Sequence, residues 1–368
     1  MTLSRRKAIA LIGGGTILAA GVAGAGFLTT RTPTKALAPW AAAGQYGDPR
    51  KRALSYALLV PNPHNLQPWL VDLEGEDSLS LYHDTSRRIP HTDPRDRQIT
   101  IGMGCFLEQL TIAASLDGLR ADVTLYPDGP DGAVARAVFS DGASADPLAG
   151  AMMQRRSCKQ PFAATPVEVA KADALASFAA IYTDTPTVEA LRMLTTEAWL
   201  VEWQTPRTRM ESIDLMRLGK AEINANPDGI ALGGPFLESL MLAGMLNRED
   251  QNNPSSAGYK QGVDMYRKLL AATPAYAVLT TPGNSRADQI ATGGRWLRLN
   301  LAATRLGLDL HPVSQCLQEY PEMAAHYASA HDLLGESGQT VQMLGRLGYG
   351  PQTPPSPRWP LEAKLRSS

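Results

Sequence analysis

Two stretches of this chain repeat each other. GMGCFLEQLTIAASLDGL, from Gly102, aligns without a gap on ATGGRWLRLNLAATRLGL, from Ala291. Leu110 falls over Leu299, Ile112 over Leu301, Ala113 and Ala114 over Ala302 and Ala303, and Gly118 over Gly307, at a constant offset of 189 residues. Apolar positions recur at helical spacing in both, so each reads as a long core helix. One repeat pair is far short of a solenoid. A period of about half a 368-residue chain points to two related halves fused in one chain. Two Ala-rich amphipathic helices also resemble each other by coincidence, so pattern alone leaves that alternative open.

The rest of the chain fits around these helices. Ala53, Tyr56, Ala57 and Val60 carry helical spacing after Pro49. WLVDLEG and DSLSLYHD alternate like a β-hairpin, and RADVTLYP and AVARAVFS read as two further strands. DTSRRIPHTDPRDR is a polar connector whose charges are expected to be solvated or ion-paired. Beyond Asp146, PLAGAMMQRRSCKQPF reads as a helix start and a turn, PVEVAKADALASFAAIY as a helix, and Thr187 to Leu246 as long helices. AYAVLTTPG and VQMLGRLGYG read as strands, before a Pro-rich, briefly helical tail.

The N-terminus pairs Arg5 and Arg6 with an uncharged, Gly- and Ala-rich stretch from Ala8 to Leu28. That is the layout of a twin-arginine export signal. An uncleaved membrane anchor is the alternative, since about 20 apolar residues can span a bilayer. Cleavage is expected after Ala38 or Ala43, which leaves residues 1–43 outside the fold as signal and linker. The expected location is the periplasm.

Composition excludes several classes. With 44% hydrophobic residues and 19% charged, a sizeable core is available. The formal net charge of −1 offers no basic field for nucleic acid. Cys105, Cys158 and Cys316 are widely spaced and odd in number, so they read as buried small hydrophobes rather than a metal or disulfide framework. His326 and His331 are five apart and cannot share a helix face as metal ligands. There is no G-x-S-x-G, no P-loop and no G-x-G-x-x-G.

Two segments carry chemistry. QRRSCKQPF gathers Arg155, Arg156, Ser157 and Lys159, which suits a phosphate: guanidinium forks, a point charge and a hydroxyl donor. A basic helix end reads the same way locally. Arg346 and Arg358 are further cations that could join if the fold brings them close. PNPHNLQPW, from Pro61 to Trp69, presents Asn62, Asn65 and Gln67 on a backbone stiffened by three prolines. A plain helix stop anchored by Trp69 is the alternative.

Pro61 to Trp69 resembles the P-S-S-x-N-x-Q-P-W segment of FMN-dependent nitroreductases, and Arg155 to Lys159 resembles their R-x-S-x-K/R phosphate-binding start. Gly294 to Leu308 resembles a helix of that family, and Pro312 to Gln315 stands at its flavin-side turn. RLGYGPQTPPSPRWPLEAKL resembles its ending. The resemblance implies an α+β, nitroreductase-like fold of mixed, mostly antiparallel sheets surrounded by helices, with two related halves forming a pseudo-dimer. The halves are expected at 44–145 and 146–368. In ordinary members R-x-S-x-K comes before N-x-Q-P-W; here the order is reversed and each occurs once, which resembles the fused, Acg-like branch.

That arrangement implies one composite FMN site across the halves. Arg155, Arg156, Ser157, Lys159 and Arg358 would hold the phosphate. Asn62, Asn65 and Gln67 would contact the ribityl chain or ring, and Val313, Ser314 and Gln315 would face the ring. The chemistry would be borne by the flavin, with no catalytic side chain and no metal. The implied function is exported electron transfer from an unidentified donor to a nitro, quinone or similar small acceptor. Its rival is an FMN-sequestering protein without turnover, its site lidded by the helical insert. Expected partners are FMN, donor, acceptor and the export machinery, with the monomer already a pseudo-dimer.

Overall fold

The computed structural model describes residues 30–335 and 338–366. In chain order it begins with helices α1 (Thr34–Ala42) and α2 (Pro49–Ala57), the hairpin β1 (Trp69–Glu74) and β2 (Ser78–His83), the long helix α3 (Arg97–Ala114), and strands β3 (Leu119–Leu125) and β4 (Ala135–Asp141). Next come α4 (Val169–Leu175), β5 (Ala180–Tyr182), α5 (Thr185–Gln204), α6 (Pro206–Asp214), β6 (Met216–Leu218), α7 (Gly219–Ala225), β7 (Ile230–Leu232) and α8 (Pro235–Leu242). The chain continues with α9 (Arg248–Asn252), α10 (Ala257–Ala271), β8 (Ala275–Thr281), α11 (Arg286–Arg305), β9 (Asp309–Pro312), α12 (Ala324–Leu334) and β10 (Thr340–Gly348).

The fold is α+β, and its two halves repeat one topology. The first sheet runs β1-β2-β4-β3 and the second β5-β8-β10-β9, with neighbours antiparallel throughout. In each, a long helix follows the second strand: α3 after β2, and α11 after β8. These two helices cross at glycines. A Cβ on Gly104 would stand 2.0 Å from the Ile290 carbonyl oxygen, and one on Gly293 would stand 2.0 Å from that of Ile101. Gly104 and Gly293, like Ile101 and Ile290, are 189 residues apart, the offset of the sequence repeat. Reciprocal contacts of equivalent residues are the signature of a two-fold interface, here within one chain. α3 is long and apolar enough to cross a membrane, but it is mostly buried in the core.

The halves differ between their first two strands. Three residues join β1 to β2, whereas α5 to α10 and the parallel pair β6-β7 intervene between β5 and β8. That insert shares a core with one face of the second sheet, where Leu191, Ala198, Trp199, Trp203 and Ile213 join Tyr276, Val278 and Leu344. The stretch expected as long helices from Thr187 to Leu246 holds one long helix, α5, then shorter ones parted by Pro206 and by β6 and β7. PVEVAKADALASFAAIY likewise divides into α4 and the short β5.

One expectation is overturned. Residues 34–43, assigned to the signal and linker, belong to the folded body. α1 buries Ala36 and Trp40, and Trp40 Nε1 donates to the Ser356 carbonyl at 2.7 Å. The paired arginines and the apolar stretch lie outside the described residues.

Candidate cofactor site at the junction of the halves

The R-R-S-x-K segment follows a short 3-10 turn at Ala149–Ala151, which tucks Arg155 inward until it is 3% exposed. Arg155 Nη2 donates to the Leu59 carbonyl at 2.9 Å, where α2 has ended and the N-x-Q-P-W loop is about to begin. Arg358, from the C-terminal tail, meets it there. Its Nη2 donates to the carbonyls of Leu59 (3.0 Å) and Val60 (2.9 Å), and its Nη1 to Asn65 Oδ1. Two segments almost ninety residues apart, and a third from the chain end, thus converge on the end of α2.

The cations gathered there have no counter-charge. Among the described residues, neither Arg155, Arg156, Lys159 nor Arg358 has a carboxylate within ion-pair distance, although arginines elsewhere commonly do. Arg155 Nε and Nη1, Arg156 Nε and Arg358 Nε are buried donors without a protein acceptor. Burial pushes Arg155 down to about 10, and burial with repulsion from Arg155 and Arg156 pushes Arg358 down to about 9. Desolvation lowers Lys159 as well, although the residue is exposed at the surface. Unpaired buried charge is expensive, and an anion is the natural remedy. Orphaned N–H groups from guanidiniums fit a phosphate's oxygens. Ser157 is half-buried beside them and pairs with β9 through an isolated bridge to Leu310.

The N-x-Q-P-W loop is strained into one shape. His64, Asn65 and Gln67 all have positive φ, at 46°, 57° and 53°. Non-glycine residues rarely sit there, and such strain clusters at functional sites. The loop's own amides hold it. Asn62 Oδ1 accepts from the Gln67 N–H at 2.8 Å, and Asn62 Nδ2 donates to the Val60 carbonyl at 3.1 Å. Asn65 Nδ2 donates to the Pro357 carbonyl at 3.0 Å. Gln67 is fully enclosed: Nε2 donates to the carbonyls of Pro227 (2.8 Å) and Asn65 (3.2 Å), while Oε1 accepts from the Trp359 N–H at 2.8 Å. Lys364 Nζ donates to the Gln67 carbonyl at 2.7 Å. The amides thus knit loop, insert and tail together.

At the turn after β9, the Val313 N–H donates to the Leu344 carbonyl at 2.9 Å. Ser314 Oγ accepts from the Leu344 N–H at 3.1 Å and donates to its carbonyl at 3.0 Å, so its hydroxyl extends the ladder that the backbone leaves. Among the described residues the N–H groups of Ser314 and Gln315 show no protein acceptor. Gln315 is half-buried and opens a 3-10 turn.

Three groups at the site escaped sequence reasoning. His64 retains some solvent contact and is pushed down to about 4, by burial first and then by Lys159. His311 is buried, with its pKa lowered by burial, Arg346 and Lys159. Arg346 is itself fully enclosed; it donates to Thr273 Oγ1 at 2.8 Å and lies 3.1 Å from His311 Nδ1, so it braces the wall rather than offering free donors. Trp40 of α1 carries the Arg156 guanidinium 4.5 Å above its ring centre, and the Arg358 N–H donates to the Ala36 carbonyl at 2.8 Å. Trp40 was missed because an export-signal reading set its segment aside. No group of His, Cys, Asp and Glu able to hold a metal occurs among the described residues.

The insert closes one side. Asp228 accepts from Arg87 (2.6 Å), Arg217 (2.7 Å) and Trp359 Nε1 (2.8 Å), joining the insert to the first half and to the tail. The tail then runs on as an extra parallel edge on β1: the Val71 N–H donates to the Lys364 carbonyl and the Arg366 N–H to that of Val71.

No family model matches the chain. It is 33% identical over 121 residues to an uncharacterized protein of Mycobacterium tuberculosis, a match covering 30% of this chain and 35% of that one. It is 24% identical over 329 residues to another M. tuberculosis protein, named provisionally as an NAD(P)H nitroreductase, covering 84% of this chain and 88% of that one. Among solved structures, an FMN-dependent nitroreductase of Mycobacterium smegmatis in complex with NADPH covers 60% of this chain and 99% of its own, at 16% identity and a TM-score of 0.37. A nitroreductase of Bacteroides fragilis with bound FMN covers 57% and 91%, at 13% identity and a TM-score of 0.33. Scores of this size do not by themselves assign a fold; the repeated strand order and the reciprocal glycine crossing describe it directly.

Proposed function

We propose that the chain is an exported, FMN-dependent oxidoreductase of the nitroreductase type with one cofactor site at the junction of its halves. The observation that carries this reading is the set of uncompensated cations Arg155, Arg156, Lys159 and Arg358, with their orphaned donors, beside a strained amide-bearing loop. Support comes from the motif resemblance and from the similarity to a provisionally named nitroreductase over most of the chain.

When bound, FMN would supply electron transfer through its ring. The chain's residues would bind, orient and shield it. Arg155, Arg156, Ser157, Lys159 and Arg358 would hold the phosphate, and Trp40 would steady Arg156. The N–H groups of Ser314 and Gln315, beside buried Val313, would stand as donors toward the ring. Asn62, Asn65 and Gln67 would act mainly through the loop they shape, since their side chains already bond to protein. His64 stays neutral above about pH 4, so it adds no positive charge at physiological pH. The twin-arginine pattern supports a periplasmic location, where a donor other than freely available NAD(P)H would feed it and a nitro, quinone or similar small molecule would accept.

A second reading rests on a specific observation. Asp228 and its three partners tie the insert across the loop, which suits a protein that stores FMN without turnover. The test is the double substitution Arg155→Ala with Lys159→Ala. It should abolish flavin absorbance in a protein that still folds; unchanged flavin content would refute the phosphate assignment. Anaerobic titration with a quinol mimic then separates the readings: the oxidoreductase bleaches, and the storage protein does not.

A further inference from the structure

The two halves treat the turn after their edge strand differently. At the 189-residue offset, Val313, Ser314 and Gln315 correspond to Thr124, Leu125 and Tyr126. In the first half the ladder runs on: Thr124 pairs with Arg136, Leu125 with Ala135, and the Tyr126 N–H donates to the Val134 carbonyl at 3.0 Å. In the second half the strand pairing ends at Pro312, opposite Gly345. Val313 makes one more backbone bond to Leu344, and Ser314 meets Leu344 through its hydroxyl rather than its N–H. The chain then enters a 3-10 turn at Gln315–Leu317. The Ser314 and Gln315 N–H groups are thereby released from the sheet.

Two enclosed side chains hold the diverted segment. Arg97, 1% exposed at the start of α3, sends Nη2 to the Leu317 carbonyl at 2.8 Å and Nη1 to the Gln342 carbonyl at 2.6 Å. Glu202, 5% exposed on α5, accepts from Gln318 Nε2 at 2.7 Å. Among the described residues neither grip has a counterpart in the first half. Arg286 is the equivalent of Arg97 at the same offset, yet its Nη1 donates to Thr100 Oγ1 and Gln289 Oε1, both at 3.0 Å. Glu202 belongs to the insert, where the first half has only three connecting residues. Enclosing charged groups costs free energy that plain packing would not demand. What these two add is direction: one grips the turn from the first half and the other from the insert.

We propose that Glu202 and Arg97 are positioning residues: they draw this turn out of the ladder and fix the Ser314 and Gln315 N–H groups as donors for the flavin ring. The inference rests on the flavin reading above and adds a reason for a single site, since the equivalent turn in the first half stays in the sheet. The insert is then the device that makes the fold asymmetric on the ring side. Donors facing a ring that gains electrons favour its reduced form. Glu202 and Arg97 therefore set how readily the flavin is reduced, whereas the cation cluster sets how firmly it is held.

The test uses the full chain with Glu202→Ala, Gln318→Leu or Glu202→Gln; the last keeps an oxygen for Gln318 Nε2. Before flavin loading, hydrogen exchange across residues 313–318 should quicken several-fold in the first two and stay near wild type in the third. After loading, flavin per chain should be unchanged in all three. Reductive titration against a reference dye, at one pH, then reads the ratio of reduced to oxidised flavin. That ratio should fall about ten-fold in Glu202→Ala and Gln318→Leu, and stay within about two-fold of wild type in Glu202→Gln. Wild-type exchange or wild-type ratios in Glu202→Ala and Gln318→Leu overturn the proposal, as does a Glu202→Gln protein no better than Glu202→Ala. Folded variants that lose flavin also overturn it, since Glu202 would then serve retention. A colourless wild-type chain refutes the flavin reading itself, and this proposal with it.

Discussion

The first and second halves use the same strand order to opposite ends. In the first, three residues close β1 onto β2, and the polar work is done before the hairpin, by the strained Asn62 to Gln67 loop. In the second, β5 and β8 are parted by an insert that packs onto the sheet itself, and the polar work is done upstream, by Arg155 to Lys159. The sheets stay alike because their pairing is set by neighbouring strands, while the connection between two strands tolerates long additions at small entropic cost. On the proposed reading each half supplies different components of the site. The strand order repeats between the halves, whereas the polar segments at their junction do not.

The comparison can be broken at the helix crossing, where the largest effect is expected. Gly104→Ala and Gly293→Ala each drive a methyl to 2.0 Å from a backbone oxygen, so each should cost roughly 4 kcal/mol or more. Denaturant unfolding should show similar losses for the two; a loss at one alone would break the two-fold equivalence. Next is the tie between insert and first half. Asp228→Ala leaves Arg217 without a carboxylate and Arg87 with Asp84 alone, and should cost about 3 kcal/mol. Limited proteolysis should then cut the insert before either sheet.

The insert should also bring a pH dependence of its own. Burial raises the Glu202 carboxyl to about 7, despite the Gln318 amide that donates to it. Between its unfolded pKa of 4.5 and about 7, the unfolded chain releases this proton while the folded chain keeps it. Stability from this group therefore falls as pH rises through that window, by up to about 3 kcal/mol, and is flat above it. Melting curves of Glu202→Gln should lack that slope. The smallest effect belongs to α1. Trp40→Phe keeps an apolar ring in the pocket but loses part of the contact beneath Arg156, worth about 1 kcal/mol, and should weaken flavin retention several-fold with only a modest drop in melting temperature.

Much of the scaffold was legible because long periodic segments declare themselves: α3, α11 and the β1-β2 hairpin lie where apolar spacing puts them. Short elements did not. β9 has four residues and β5, β6 and β7 three each, and such strands owe their existence to partners distant in sequence. The small-residue runs ending at Ala38 and Ala43 read as processing sites, yet Trp40 between them finds a pocket between the tail and Arg156. At the site, residue types announced the cation cluster and the amide loop. Which amides remain free for a ligand depends on the insert and tail, through Pro227, Pro357 and Trp359, and no local pattern carries that. His64 and His311 are both shifted first by burial and then also by Lys159, which lies across the junction from His64, and only the fold supplies that enclosure and proximity.

The central claim is that the two halves build one composite flavin site from unlike parts. Flavin stoichiometry of the purified full chain, by visible absorption against protein mass, tests it most directly. The account predicts one FMN per chain, lost on removing Arg155 and Lys159 together. A colourless protein after expression with excess FMN, or two flavins per chain, would contradict it.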